Sequence, residues 1–230
     1  MPMASRKKSK NEISLADAYA LSSPEANKTL YDKWAPTYDA EFVADDYIYP
    51  RIVAEYLATL IEDDEQLSVC DIGCGTGAIG EHFARLRPLC EIEGVDISPQ
   101  MIAQAASKMR EDGTPVYKEF HEVDLKKPIY FAQSVYDFMV SAGTFTLGHL
   151  GVSDMLAISR VLKPLGIACV GINKQHFEQH AFRPVITEAV QERFITQPEY
   201  VEVDIYGPSN EHHGDKAIIA VFGRPSLQNV

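Results

Sequence analysis

The stretch VCDIGCGTGAIG, residues 69–80, decides the fold. An apolar run of strand character leads into three alternating glycines, Gly73, Gly75 and Gly77, and then into AIGEHFARL, whose apolar positions recur at helical spacing. A strand that turns through glycines into a helix is the cradle in which an open α/β sheet holds a nucleotide-like ligand. Glycine suits that turn because it tolerates unusual dihedrals and lets a ligand approach the main chain.

Outward from this stretch, strands and helices alternate. EIEGVDI (91–97) reads as a strand and PQMIAQAASKMRE (99–111) as a helix, capped by Ser98 with Pro99 in its first turn. Strands follow near VYKEFHEVDL (116–125) and at YDFMVSA (136–142), then a helix at VSDMLAISRVL (152–162) and a strand at GIACVGI (166–172). This order predicts parallel β-α-β units in a Rossmann-like, doubly wound α/β sheet. The last two strands, EYVEVDIYG (199–207) and KAIIAVFG (216–223), are separated only by PSNEHHGD, too short for a crossover helix, and so form an antiparallel hairpin. Upstream, YDKWAPTYDAEF (31–42) and IVAEYLATLI (52–61) read as two helices or a helix and a loop.

The chain has 230 residues, enough for one domain with a substantial core. We read residues 1–20 as a basic, disordered tail and 21–230 as a single domain. The net charge is −12, although Arg6, Lys7, Lys8 and Lys10 make the start basic, so the body repels a phosphate backbone. Nucleic acid is therefore not the expected partner; a small molecule is. No apolar run approaches a membrane span, and the basic start lacks a secretory apolar segment, so a soluble cytoplasmic protein is expected. Cys70, Cys74, Cys90 and Cys169 form no C-x-x-C pair, which argues against a metal site or a disulfide framework.

The glycines alone admit two ligands. Gly73, Gly75 and Ala78 also satisfy the dinucleotide pattern G-x-G-x-x-[GA], with Asp96 near the spacing of a ribose-binding acid. A dinucleotide, however, brings an anionic pyrophosphate to the loop, which Asp71 would oppose, whereas a methionine moiety brings an ammonium that Asp71 attracts. Asp71 therefore favours S-adenosylmethionine over a nicotinamide cofactor. Asp96 ends its strand with two acceptor oxygens for ribose hydroxyls, and Asp124 is placed to accept adenine amino hydrogens while Leu125 packs on the ring.

DIGCGTG, GVDIS, VDL, YDFMVSAGTFTLGHL, LKPLG before a strand, and the terminal hairpin together resemble class I S-adenosylmethionine-dependent methyltransferases, from about Tyr31 to the end. YDKWAPTYDAEF and SAGTFTLGHLG look closest to the small methyltransferase-like proteins typified by the Williams–Beuren region methyltransferase. LKPLG departs from the usual LKPGG at Leu165. The resemblance implies a seven-stranded sheet, mostly parallel, with an antiparallel last strand. It also implies that Asp71, Gly73 and Gly75 hold the methionine end, Asp96 and Ile97 the ribose and adenine, and Asp124 and Leu125 the base, with Ser141 beside the sulfonium. Cys74, the loop spacer, and Met101, in the helix after Asp96, complete the expected cofactor set.

Methyl transfer needs tight geometry and exclusion of water, so a lid is expected. Tyr31, Trp34 and Tyr38, at spacings of three and four, share one helical face and make the N-terminal helix the candidate lid. Where the acceptor arrives protonated, His149 is the candidate base, with Phe145 and Leu147 as walls. Asn173, His176 and His180 read as acceptor-side positions on a solvated helix face; His212 and His213 fall in the hairpin loop. Two other readings stay open: a nicotinamide-dependent oxidoreductase, and a protein that binds S-adenosylmethionine without turnover.

Overall fold

The computed structural model describes residues 23–62, 66–130 and 132–226. The basic tail read over residues 1–20 lies outside the described residues. The chain forms α1 (Pro24–Ala44), α2 (Tyr49–Thr59), β1 (Ser68–Ile72), α3 (Ala78–Leu86), β2 (Glu91–Asp96), α4 (Pro99–Ala106), β3 (Glu119–Glu122), β4 (Tyr136–Phe145) and α5 (Val152–Ile158). A 3-10 turn (Ser159–Val161), β5 (Leu162–Asn173), α6 (Lys174–Gln179), α7 (Phe182–Gln191), β6 (Glu199–Asp204) and β7 (Lys216–Gly223) follow.

The seven strands lie in the order β3-β2-β1-β4-β5-β7-β6. Those from β3 to β5 pair in parallel, and β7 pairs antiparallel with both β5 and β6. The terminal hairpin thus inserts its second strand beside β5. The topology reverses between β1 and β4, which opens a crevice at the carboxyl ends of these two strands.

Strand alternation divides the core. Cys70 and Ile72 of β1 face the side covered by α5 and α7, where Met155, Ile158, Phe182 and Ile186 pack. Val69 faces the side of α2 and α3, with Val53, Leu57, Ile79 and Phe83. All four cysteines are free and buried in these layers.

Helix α1 stands apart. Its Trp34 and Phe42 pack with Leu30, Tyr31, Tyr38 and Tyr47 in a cluster separate from both core layers. Ser23 caps it by accepting from the Ala26 N–H, and Pro24 opens its first turn. Polar contacts then tie it across the strand ends: Lys28 to Glu122 at β3, the Ser98 hydroxyl to Asp32 (2.6 Å) after β2, and the Thr76 hydroxyl to Asp39 after β1. The helix is a strap laid over the carboxyl edge of the sheet.

Several boundaries differ from the sequence reading. The helix expected over 99–111 ends at Ala106, and the residues read as its last part run into a tight turn at Asp112-Gly113, with the Asp112 carboxylate accepting from the Thr114 N–H (2.9 Å). The strand read over 116–125 contracts to Glu119–Glu122, and the helix over 152–162 tightens into its 3-10 turn after Ile158.

Leu165, the departure from LKPGG, sits at φ +68 and is 72% exposed. Leu165→Gly should relieve the left-handed penalty of a side-chain-bearing residue, part of it offset by glycine's freedom in the unfolded chain. The expected net gain is about 0.5–1 kcal/mol, seen as a rise of about 1–4 °C in Tm by calorimetry; an unchanged or lower Tm would contradict it.

Candidate functional site

The crevice between β1 and β4 holds an open cavity of about 790 Å³, its solvent-facing mouth included. Five segments wall it: α1 through Asn27, Tyr31 and Tyr38; the glycine turn through Gly73 and Gly75; the β2 end through Asp96, Ile97 and Met101; the β3 end through Val123 to Lys126; and the segment after β4 through Ala142 to Thr144, His149 and Leu150. A second cavity meets it at Tyr38, Gly73, Gly75 and Ala142, and Cys74 lines that one.

The glycine turn depends on two different absences of a side chain. At Gly73 (φ +65) an added Cβ would run into the Thr144 hydroxyl and lie 2.9 Å from the Thr144 Cβ, so the position is closed by the fold. At Gly75 (φ +53) an added Cβ would meet nothing within 4 Å and would project into open space. Gly75 is also tied to the next strand, its N–H donating to Asp96 Oδ2 (2.9 Å). The other Asp96 oxygen accepts from the Ser98 N–H (2.9 Å), and the Ser98 hydroxyl caps α4 through Met101 (3.1 Å). Burial raises the Asp96 carboxyl above the usual carboxylate range, against the lowering effect of its backbone donors.

His149 has a defined hydrogen-bonding state. The Leu147 carbonyl can only accept, so the contact at 3.0 Å places a proton on Nδ1. Nε2 of the neutral ring then carries a lone pair and accepts from the Tyr31 hydroxyl at 3.0 Å. Burial lowers the His149 pKa, with the Leu147 bond opposing, and this favours the neutral ring.

Not every expected residue reaches the cavity. Asp71 is fully buried and lines neither cavity. It follows Val69 onto the α3 face of β1, where Tyr117 donates to its Oδ2 (2.6 Å) and in turn accepts from the Gly80 N–H (3.2 Å). Asp71 therefore presents no carboxylate directly to a ligand, and the charge argument built on it from sequence is corrected here. Ser141 is also sealed, its hydroxyl donating to the Ile72 carbonyl (2.7 Å). Trp34 is buried in the α1 cluster with its indole N–H on Glu41 (2.8 Å). Gly77 begins α3 against Ala105 and Tyr117. On the acceptor side, Phe145 is core rather than wall, and Leu147 does not line the cavity. His176, expected on a solvated face, is buried with Nε2 on the Leu150 carbonyl (2.9 Å). His180, His212 and His213 are exposed, and Asn173 caps α6.

The sealed Asp71 carries its own prediction. Burial pushes its carboxyl up to about 7, the Tyr117 bond opposing. A carboxyl with a raised folded-state pKa costs nothing below the unfolded value near 3.8, where both states are protonated. It destabilises progressively as pH rises toward 7, because the unfolded chain ionises first. Asp71→Asn should therefore raise Tm more at pH 8 than at pH 5, by several degrees in a thermal melt series; an equal change at both pH values would refute this.

Asn27 went unread in the sequence, although it lies one turn before Tyr31 on the same helical face. It is 7% exposed and lines the cavity, and its Oδ1 has no hydrogen-bond partner. Thr144 was missed as well; it is what forces glycine at 73. Among the described residues, Glu93, Glu119 and His121 bring potential metal ligands within 4.8 Å of one another. They lie outside both of these cavities, and Glu93 already accepts from Tyr136 (2.6 Å) and meets His121 (3.1 Å).

A family model described as a methyltransferase domain matches residues 63–200. The chain belongs to this family. Its members are class I S-adenosylmethionine-dependent methyltransferases, and S-adenosylmethionine is the cofactor. Methyltransferase-like protein 27 of Homo sapiens is 25% identical over 143 residues, covering 61% of this chain and 55% of that protein. Malonyl-[acyl-carrier protein] O-methyltransferase 2 of Ilyobacter polytropus is 34% identical over 140 residues, covering 60% and 49%. The chain thus spans about half the length of the curated relatives it matches. Among solved structures, a TehB-like SAM-dependent methyltransferase from Corynebacterium glutamicum superposes with a TM-score of 0.58 at 20% identity, over 85% of this chain and 98% of that one. The [4+2]-cyclase SpnF superposes with 0.65 at 17%, over 90% and 98%.

The residues present fit the family's cofactor. Gly75 leaves its main chain bare toward the cavity, Asp96 keeps spare acceptor capacity beside it, and Ile97, Met101, Val123 and Leu125 give apolar walls for a ring.

Proposed function

We propose that the protein moves the methyl group of S-adenosylmethionine to an oxygen, nitrogen or sulfur atom of a small molecule. The observation that carries this reading is that one cavity joins the Gly75–Asp96 cradle to a neutral His149 whose Nε2 lone pair faces a hydroxyl. When bound, S-adenosylmethionine supplies an electrophilic methyl group on a sulfonium.

The chain's own residues then divide the work. Gly73 and Gly75 line the cradle for the amino-acid tail, Gly75 leaving its main chain bare, Asp96 accepts from the ribose hydroxyls, and Ile97, Met101 and Leu125 enclose the base. His149 takes the proton of an acceptor that arrives as O–H, N–H or S–H, while its Nδ1–H, fixed on Leu147, holds the ring in the competent tautomer. The Tyr31 hydroxyl marks the place an acceptor's own donor group would take. Helix α1 serves as the lid, held by side-chain ties at Lys28, Asp32 and Asp39 and by a cluster separate from the main core. A strap over the cavity favours an acceptor small enough to pass beneath it.

Family membership and the terminal hairpin argue against the nicotinamide reading; Asp71, sealed under the turn, no longer bears on it. Titration calorimetry with S-adenosylhomocysteine and with NAD, followed by a mass-spectrometric acceptor panel, tests the whole reading. Binding of the first ligand alone, with a mass gain of one methyl on a small acceptor, is expected. Tight binding of NAD alone, or cofactor binding with no turnover across phenols, amines, thiols and carboxylic acids, would overturn it.

A further inference from the structure

Asn27 is a buried amide with work left undone. Its Oδ1 has no partner, the residue is 93% removed from solvent, and it lines the cavity. An unpaired acceptor at that depth is costly, and such groups in native structures call for an explanation. The helix fixes which end of the cavity it serves. Lys28, its neighbour, contacts Glu122 at the end of β3, whereas Tyr38, about three turns on, lies over the glycine turn. Asn27 thus stands at the β3 end, with Val123, Asp124 and Leu125.

Asp124, the acid expected there, is partly engaged by its own loop: Oδ1 accepts from the Lys126 N–H (3.0 Å) and Oδ2 lies 3.4 Å from Lys127 Nζ. Like Asp96 it keeps spare lone pairs, but the acceptor with no partner of its own at this end is Asn27 Oδ1. A carboxamide carries an acceptor and a donor side by side, the complement of adenine's amino group and its N7. Hypoxanthine presents two acceptors on that edge, O6 and N7, so one of them faces Oδ1 whichever way the amide turns.

We propose that Asn27 reads the Hoogsteen edge of the cofactor's base and makes the site selective for adenine over a 6-oxopurine. The assignment rests on the cofactor reading above and adds to it a specificity residue on the lid helix.

The test is titration calorimetry with S-adenosylhomocysteine and S-inosylhomocysteine on the wild type, Asn27→Ala and Asn27→Asp. The wild type should prefer the adenine ligand by about 10-fold or more, and Asn27→Ala should lose most of that preference through weaker adenine binding. Asn27→Asp, of the same shape and with its acceptor kept, should retain the preference. In the wild type, the Asn27 side-chain amide NMR signals, assigned by their loss in Asn27→Asp, should move on saturation with S-adenosylhomocysteine. An Asn27→Ala ratio equal to the wild type's, or an unmoved Asn27 amide in the saturated protein, overturns the assignment while leaving the cofactor reading standing. Absence of S-adenosylhomocysteine binding to the wild type overturns both.

Discussion

Asp96→Ala should weaken S-adenosylhomocysteine binding by about 10²–10⁴-fold, the largest loss expected of any single cavity substitution. The carboxylate has two roles that one methyl group cannot replace. Hydrogen bonds to an ionised acceptor contribute about 1.5–3 kcal/mol each, and two ribose hydroxyls can reach the two oxygens. The same oxygens hold the Gly75 and Ser98 N–H groups at 2.9 Å, so the substitution also unties the glycine turn from β2. Asp96→Asn is nearly as damaging, because its amide nitrogen must face one of those two N–H donors. Burial raises the Asp96 pKa, so ligand affinity should fall on acidification sooner than an exposed aspartate would allow, protonation removing an acceptor. Calorimetry across pH 5–8, with melts to verify folding, reads both effects. A folded Asp96→Ala whose Kd lies within about threefold of the wild type would remove Asp96 from the site, since the loss of even one such bond exceeds that factor.

The residues that were legible in the sequence are those whose role is set by the chain on either side of them. Gly73 and Gly75 had to sit where a strand becomes a helix, Asp96 had to end the next strand, and β6 and β7 had to form a hairpin because eight residues cannot cross a sheet. What stayed hidden depends on partners far along the chain. Asp71 reads as a ligand-facing acid until Tyr117, 46 residues away, takes its oxygen on the far side of β1. Trp34, Tyr31 and Tyr38 share a helical face, yet that face is wide enough for Trp34 to be buried with its indole N–H on Glu41 while the other two rings line the cavity. His176 looked solvated because nothing local announces the Leu150 carbonyl beside it. Asn27 was masked by its aromatic neighbours, since a lone amide on a helix has no pattern of its own.

His149→Ala should lower the methyl-transfer rate about 10²–10⁴-fold on a protonated acceptor while changing S-adenosylhomocysteine affinity little, the span expected for loss of a positioned general base. The split follows from the geometry: His149 meets Tyr31 and Leu147 and lies on the β4 side of the cavity, whereas the turn and Asp96 carry the cofactor. Its pH signature is distinct. The base acts only as the neutral ring, and burial lowers its pKa below 6.5, so the wild-type rate should hold through neutrality and fall only on a limb below pH 6.5. His149→Ala should lose that limb. His149→Gln, which keeps a polar group but cannot take a proton, should behave as the alanine variant does in rate. Single-turnover rates on an acceptor found in the panel, measured over pH 5–8, settle the matter: a full rate in His149→Gln would leave His149 a structural role, and the proton would have to leave to solvent.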